Sequence, residues 1–230
     1  MPGWVLTNKI LTLIIPAKNE SESLPMVLNS LKKFNYNIIV SLSENDHETI
    51  NSIKNYENVQ ILKQNKKGYG SAIIEGINAC KTKYFCIFNA DGSFNPSEID
   101  GMFESMQTRN LDFIFASRYD DNAGSEDDTL VTLIGNKIFT LCGKIFFKLP
   151  ITDILYTFVL GKTDNANQLD LKQKDFTFCV ELPIKIKKTN MKMTTINSYE
   201  RKRIAGKKKV SAFKDGFLIL IHMVRLFFIK

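Results

Sequence analysis

The sequence predicts an α/β fold with a mainly parallel central sheet and helices on both faces. Three observations carry the prediction. A chain of 230 residues with 44% hydrophobic and 11% aromatic content is long enough for one sizeable core. Short apolar runs suited to buried strands alternate with helix-spaced segments from Ile10 to Ser117. The segments that follow three of those runs, at 16–20, 41–46 and 89–93, are unusually polar, and ligands of parallel sheets bind at the carboxyl ends of the strands.

The elements follow in order. ILTLII at 10–15 reads as a buried strand closed by Pro16, and Ser21 is placed to cap a helix whose apolar face is Leu24, Val27, Leu28 and Leu31. NYNIIVSL from Asn35 is a second strand, followed by a helix near 47–55, the strand VQIL at 59–62, a glycine-rich turn and a helix over 71–80. YFCIFN at 84–89, a helix after Pro96 and DFIFAS at 112–117 continue the alternation. The second half is less regular: a helix over 130–147, a strand near 155–160, a helix near 177–187 and a strand at 191–196. The acidic stretch 120–128 reads as a mobile loop inside one domain, since no Pro/Gly/Ser linker divides the halves. One domain is expected over 1–210, with an amphipathic helix over 211–230.

Composition sets limits on function. Disordered, collagen-like and repetitive chains are excluded. The net charge of +7 is uneven: residues 183–230 hold thirteen Lys/Arg against Glu200 and Asp215, and the first 182 residues sum to −4. A cationic end on a near-neutral body points to phosphates or an anionic membrane surface. It lacks the interleaved aromatics of a nucleic-acid stacking platform, so no nucleic-acid partner is expected. Cys80, Cys86, Cys142 and Cys179 form no Cys-x-x-Cys pair and read as free thiols of a reducing cytosol, and MPGWVLTNK lacks the features of a secretory signal. GFLILIHMVRLFFI at 216–229 is shorter than the roughly 20 residues of a membrane span. Preceded by Lys207, Lys208, Lys209 and Lys214, it suits either the surface of a bilayer or the protein's own core. A peripheral protein of the cytoplasmic membrane face is therefore expected.

The sharpest local signal is FNADGSFNPSEI at 88–99, where Asn89, Asp91 and Ser93 alternate between a strand and a helix and offer oxygens to a divalent cation, Mg2+ or Mn2+, and its phosphates. The same run is also a good turn sequence. Gly68-Tyr69-Gly70 lacks the third glycine of a dinucleotide fingerprint, and no P-loop is present. His47 and His222 have no second ligand nearby in sequence.

IIPAKNE at 14–20, KKGYGSAIIEGI at 66–77, FNADGSFNPSEI, ASRY at 116–119 and ERKRIAGKKKVSAFKDG at 200–216 resemble, in order, successive motifs of family 2 glycosyltransferases, closest to the polyprenol-phosphate (dolichol-phosphate mannose synthase-like) branch. The resemblance implies a GT-A fold, a nucleoside-diphosphate sugar donor and a divalent metal. It places Pro16, Lys18 and Glu20 at the nucleotide, with Lys18 where an aromatic residue is usual, and Lys67 and Gly70 in a turn nearby. Asn89, Ala90 and Asp91 fall on the family's D-x-D, with Asn replacing the first carboxylate. In the second loop, Ser41-Leu42-Ser43 stands where acidic residues read the base, with Glu44 one residue beyond. Arg118 matches the [GS]-S-R-[YF] arginine, and Arg203 and Lys209 match R-x-x-G-x-S-K, with Lys208 in place of Ser. Asp153 falls near a D-x-x-x-G-F element and, with Glu181, is a candidate base or acceptor-positioning group; either also suits a cap or an ion pair.

The implied reaction is inverting transfer of a sugar to a polyprenyl phosphate. Such an acceptor is already ionised near neutrality, its second pKa being about 6, and needs no strong base. The alternatives are transfer to a hydroxyl of a surface glycan or lipid-linked oligosaccharide, for which Asp153 is the candidate base, and a nucleotide-sugar-binding module without turnover.

Overall fold

The computed structural model of the chain describes residues 10–206 and 209–228. The expectations for 1–9 and for Lys207 and Lys208 lie outside these residues. The chain opens as β1 (Leu11–Pro16), α1 (Ser23–Leu31), β2 (Asn37–Leu42), α2 (His47–Ile53), β3 (Val59–Lys63), α3 (Tyr69–Ala79), β4 (Tyr84–Ile87), α4 (Glu98–Thr108) and β5 (Phe113–Ser117). It continues with β6 (Gly124–Ser125), α5 (Leu130–Phe147), β7 (Val159–Lys162), α6 (Thr163–Asn167), α7 (Phe178–Lys188), β8 (Met193–Asn197), β9 (Tyr199–Glu200) and α8 (Ala212–Phe228).

Seven strands form one sheet in the order β3-β2-β1-β4-β7-β5-β8, and β6 pairs with β9 in a small parallel ribbon. All neighbours in the large sheet are parallel except β7, which runs antiparallel to both β4 and β5. The apolar run that was expected to be a strand near 155–160 starts at Val159, and its direction was not foreseen. Hydrophobicity marks a strand as buried and does not encode which way it runs.

Alternation along β1 assigns the two faces. Leu11, Leu13 and Ile15 join a cluster with Leu24, Leu28, Met102 and Met106 beneath α1 and α4. Ile14 points the other way, into a cluster with Ile73, Phe178, Leu182, Ile219 and Met223 under α3, α7 and α8. α8 thus covers the core with Ile219, His222, Met223 and Leu226. Two smaller expectations are corrected. Ser21 does not cap α1: the helix begins at Ser23, and the Ser23 hydroxyl donates to Glu20 Oε2 at 2.6 Å. The acidic stretch 120–128 is not loose, because β6–β9 pairing and the ion pairs described below fasten it.

Candidate functional site

A cleft of about 790 Å³ opens over the carboxyl ends of β1, β2 and β4 and is closed on its far side by α5, β9 and the start of α8. Its geometry begins with the sheet. Parallel register sets Pro16 beside Ser41, and Phe88 N–H donates to the Ile14 carbonyl at 2.9 Å, so three loops leave the sheet side by side. Asp46 ties two of them together: its carboxylate caps α2 at Thr49 N and accepts from Asn19 N at 2.7 Å, where Asn19 takes the left-handed φ of 52°.

The loop after β4 is held at its base by rings. Phe94 stacks on Phe158 at 4.6 Å and meets Phe88 edge-on at 5.7 Å, leaving 89–92 to project. Gly92 has φ +83°, and a Cβ there would lie 2.4 Å from Ile204 Cδ1. That close approach admits a second backbone: Ile204 N donates to the Asp91 carbonyl and Arg201 N to the Ser93 carbonyl, each at 2.8 Å. The basic segment is thereby stitched to the Asp91 loop, and Arg203 Nη1 comes within 3.6 Å of Asp91 Oδ2. Asp91 Oδ1 accepts from Ser93 N at 3.0 Å, and the Asn89 amide nitrogen donates to Ser93 Oγ at 3.2 Å.

Two further cations are gathered by acids. Arg203 forms a two-point pair with Asp127, through Nε at 3.1 Å and Nη2 at 2.8 Å, and the Asp127 bond lifts its pKa above the ordinary arginine value in spite of burial. Lys209 Nζ pairs with Glu20 Oε1, linking the end of the basic segment to the loop after β1. Lys18, Lys67 and Lys214 also line the cleft, and none has an ion-pair partner among the described residues.

Arg118 is the hub of the far wall. Its Nε donates to Asp153 Oδ2 at 2.7 Å, Nη2 to Asp153 Oδ1 at 3.1 Å and Nη1 to Glu200 Oε2 at 3.0 Å, while the guanidinium lies 4.5 Å from the Tyr156 ring. Burial works against its charge, yet Asp153 and then Glu200 outweigh it and hold the pKa well above the ordinary value.

The cleft therefore brings together Pro16, Lys18, Glu20, Ser43, Lys67, Asn89, Ala90, Asp91, Arg118, Arg203 and Lys209. Other expectations need correction. Asp153 is fully buried, has both oxygens engaged by Arg118 and also accepts from Asn136, so it orients Arg118 and is not placed as a base. Arg118 itself lines the wall with all three nitrogens committed to carboxylates, which makes it a positioning residue in this arrangement. Ser41 is buried and Ser93 faces inward to Asn89, so neither hydroxyl reaches the cleft. Gly70 packs 2.2 Å, at the position of a Cβ, from the Gln173 carbonyl and serves the fit of α3, while its neighbours Gly68 and Tyr69 line the cleft. Glu44 lies outside it, and Glu181 anchors the backbone N–H groups of Lys172 and Gln173.

Several lining residues went unread in the sequence. Tyr69 stacks on Phe176 at 4.9 Å, with its hydroxyl 2.5 Å from Thr157 Oγ1 and its pKa raised by burial. Asp127 and Tyr156 are brought in by contacts across 76 and 42 positions respectively. Asp46, just before the helix expected near 47, carried a readable capping signal.

A doubly covered sheet with one antiparallel strand and a cleft of paired acids and bases at its switch point has the GT-A arrangement of nucleotide-diphosphosugar transferases, shared by the solved structures below. The profile described as "Glycosyl transferase family 2" matches residues 12–169, and the chain belongs to that family. It is 24% identical over 224 residues to an uncharacterised protein of Methanocaldococcus jannaschii, covering 92% of this chain and 91% of that protein. An uncharacterised glycosyltransferase of Mycobacterium bovis is 22% identical over 210 residues, covering 91% and 94%. Among solved structures, glucosyl-3-phosphoglycerate synthase from Mycobacterium tuberculosis in complex with Mn2+, UDP and glucosyl-3-phosphoglycerate superposes with a TM-score of 0.78 at 11% identity, covering 100% of this chain and 86% of that one. Mannosyl-3-phosphoglycerate synthase from Rubrobacter xylanophilus gives 0.72 at 12% identity, covering 94% and 72%.

Proposed function

We propose that this glycosyltransferase moves a hexose, with inversion, from a nucleoside-diphosphate sugar to a phosphate-bearing acceptor, with a polyprenyl phosphate as the favoured one. The observation that carries the acceptor reading is the state of the carboxylates. Each one lining the cleft already has a partner: Glu20 with Lys209, Asp46 with Asn19 N, Asp91 with Ser93 N, Asp127 with Arg203, Asp128 with Tyr119, Asp175 with Thr177, Glu200 with Arg118 and Asp215 with Ser211 N. With Asp153 buried as well, no carboxylate stands ready to deprotonate a sugar hydroxyl. A phosphate oxygen requires no such base.

The residues fit a divalent cation. Eight carboxylates against six Lys/Arg leave the cleft lining with a formal excess of two negative charges, which disfavours a bare diphosphate. Among the described residues no three His, Cys, Asp or Glu side chains cluster to hold a metal alone. Asp91, with the Asn89 amide oxygen, suits the Mg2+ or Mn2+ mode in which the substrate's phosphates complete the shell. When bound, the cation neutralises the diphosphate and the charge that develops on it as it leaves. Arg203 and Lys209, on the segment stitched to the Asp91 loop, lie where Arg203 Nη1 and the other ammonium hydrogens of Lys209 reach phosphate oxygens while Asp127 and Glu20 stay paired. The acceptor oxygen attacks the sugar C1, the bond from C1 to the diphosphate oxygen breaks, and no proton has to move.

The lipid form of the acceptor is supported by the walls of the cleft, since α5 contributes Thr132 and Asn136 and α8 contributes Lys214 and Ile219, and both helices turn apolar faces outward. A soluble phosphorylated acid is the second reading, favoured by the phosphoglycerate synthases that share the fold. The test offers a panel of nucleoside-diphosphate hexoses with either acceptor and reads released nucleoside diphosphate and product. A mild-acid-labile lipid-phosphate sugar is expected. In Asp91→Ala, turnover falls by roughly a hundredfold or more and the metal dependence of nucleotide binding disappears. Nucleotide binding with no transfer to any acceptor would overturn the reading in favour of a binding module.

A further inference from the structure

The faces of α5 and α8 that turn away from the core form one surface. On α5, Ile134, Ile138 and Ile145 repeat at helical spacing and are 55–61% exposed; on α8, Phe217, Val224 and Phe228 do the same at 51–77%. The helices run side by side in one direction: Gly216 lies against Phe139, and Phe227 meets Phe146 edge-on at 5.8 Å. The exposed rings of Phe146 and Phe227 join the two stripes. A soluble surface seldom carries so long a row of exposed Ile and Phe without a partner.

The charges around this surface select the partner. α5 contains no acidic residue, and its exposed Lys137 and Lys144 fall on one edge of the stripe; Lys214 and Arg225 of α8 fall on the opposite edge. A cationic rim around an apolar face complements an anionic bilayer, where the apolar side chains enter the acyl boundary and the lysines meet headgroup phosphates. α5 is long and apolar enough by composition to cross a membrane, yet it is fixed to the domain on its inner side: Asn136 bonds Asp153, and Gly143 packs on Leu149 and Ile154. That anchoring suits a helix lying along a surface rather than crossing a membrane.

We propose that the joined outer face of α5 and α8 docks this protein on anionic lipid bilayers, with the cleft opening at the membrane surface. The inference deepens the lipid-phosphate reading above, because the same two helices wall the cleft, and its test needs neither donor nor acceptor. The full chain is sedimented with phosphatidylcholine vesicles and with vesicles containing phosphatidylglycerol. Binding is expected only to the anionic vesicles, weakening with salt. Ile138→Glu with Phe217→Glu lowers that binding at least tenfold, while the unfolding midpoint and nucleoside-diphosphate binding with Mg2+ stay as in the parent chain. Lys137→Glu with Lys144→Glu, which leaves every apolar contact in place, also weakens it if the first pair fails to fold. Equal sedimentation with both vesicle types overturns the proposal, as does a double glutamate variant that binds like the parent. A dimer in light scattering that the glutamates dissociate, with no vesicle binding by either form, overturns it too and assigns the face to a second copy of the chain. Loss of sugar transfer with vesicle binding intact would count against the acceptor reading alone.

Discussion

The two sides of the cleft are held by different kinds of interaction. The side built on β1, β2 and β4 is placed by backbone: register between neighbouring strands puts Pro16, Ser43 and Asn89 at one edge, and hydrogen bonds close in sequence shape each loop. The opposite side is placed by charged side chains that are distant in sequence, with Arg118 reaching Asp153, Arg203 reaching Asp127 across 76 positions and Lys209 reaching Glu20 across 189. A strand-end loop tolerates the loss of one side chain because the ladder remains. A wall of buried ion pairs does not, since removing one partner leaves the other charge buried and uncompensated.

The largest effect that separates the two sides is therefore expected at Asp153, which lies behind the cleft and bonds two of its lining residues, Arg118 and Asn136. Asp153→Ala removes two of the three guanidinium contacts of Arg118, whose side chain is 10% exposed, and leaves Glu200 as its remaining close carboxylate, which should cost about 3 kcal/mol of folding stability. Arg118→Met combined with Asp153→Leu should recover part of that loss while turnover stays low, because the apolar pair restores packing, while Glu200 loses its cation and keeps only the Ser125 hydroxyl. Chemical unfolding of the single and double variants measures the coupling. An Asp153→Asn variant that folds with parental stability and yet loses all turnover would return Asp153 to the role of a base and erase the contrast.

A second substitution acts where the two sides meet. Gly92→Ala places a methyl against Ile204 Cδ1 at a left-handed φ, which should cost about 1–3 kcal/mol and loosen the stitching of Arg201 and Ile204 to the Asp91 loop. The expected kinetic signature is a higher KM for the donor. Shortening the partner with Ile204→Ala removes both Cδ1 and Cγ1, the atoms 2.4 and 2.7 Å from the new methyl, but not the backbone cost, so recovery should be partial. Full recovery would mean that the junction is a matter of side-chain volume alone.

The same difference decides how much could be read from the sequence. The strands and helices of the first half, and the polar loops at 16–20 and 89–91, announce themselves through alternation, prolines and turn residues, all of which act within a few positions of one another. Asp91 was legible for that reason, and Lys18 through its place in the family motif. The antiparallel direction of β7, the burial of Ser41 and Ser93 and the capture of Asp153 by Arg118 follow from partners 35 or more positions away or from which way a side chain turns, and neither leaves a local pattern. The helix over 130–147 was legible as a helix, whereas its exposed apolar face was not, because periodicity shows that a stripe exists and not what covers it.

The smallest effect belongs to His222, and it tests whether α8 is part of the far wall or an independent attachment. Its side chain faces α7 and the core, and Nε2 is buried without a hydrogen-bond partner among the described residues. Burial chiefly, with help from Lys185 and Arg225 and against Glu181 and Asp175, lowers its pKa below the ordinary histidine value. The fold thus favours the neutral form of His222 more than the unfolded chain does, which titrates near about 6.5. Between those two values the unfolded state binds more protons, so the contribution is complete above about pH 6.5 and is lost as the pH falls through it. The unfolding midpoint should drop on acidification from about pH 7 to pH 5, and His222→Leu should flatten that part of the profile while keeping the packing. If α8 belongs to the wall, nucleotide affinity weakens over the same interval, because α8 carries Lys214 and Ile219 into the cleft. Melting that responds to pH with nucleotide binding unmoved would separate α8 from the wall and leave the ion-paired side to Arg118, Arg203 and Lys209 alone.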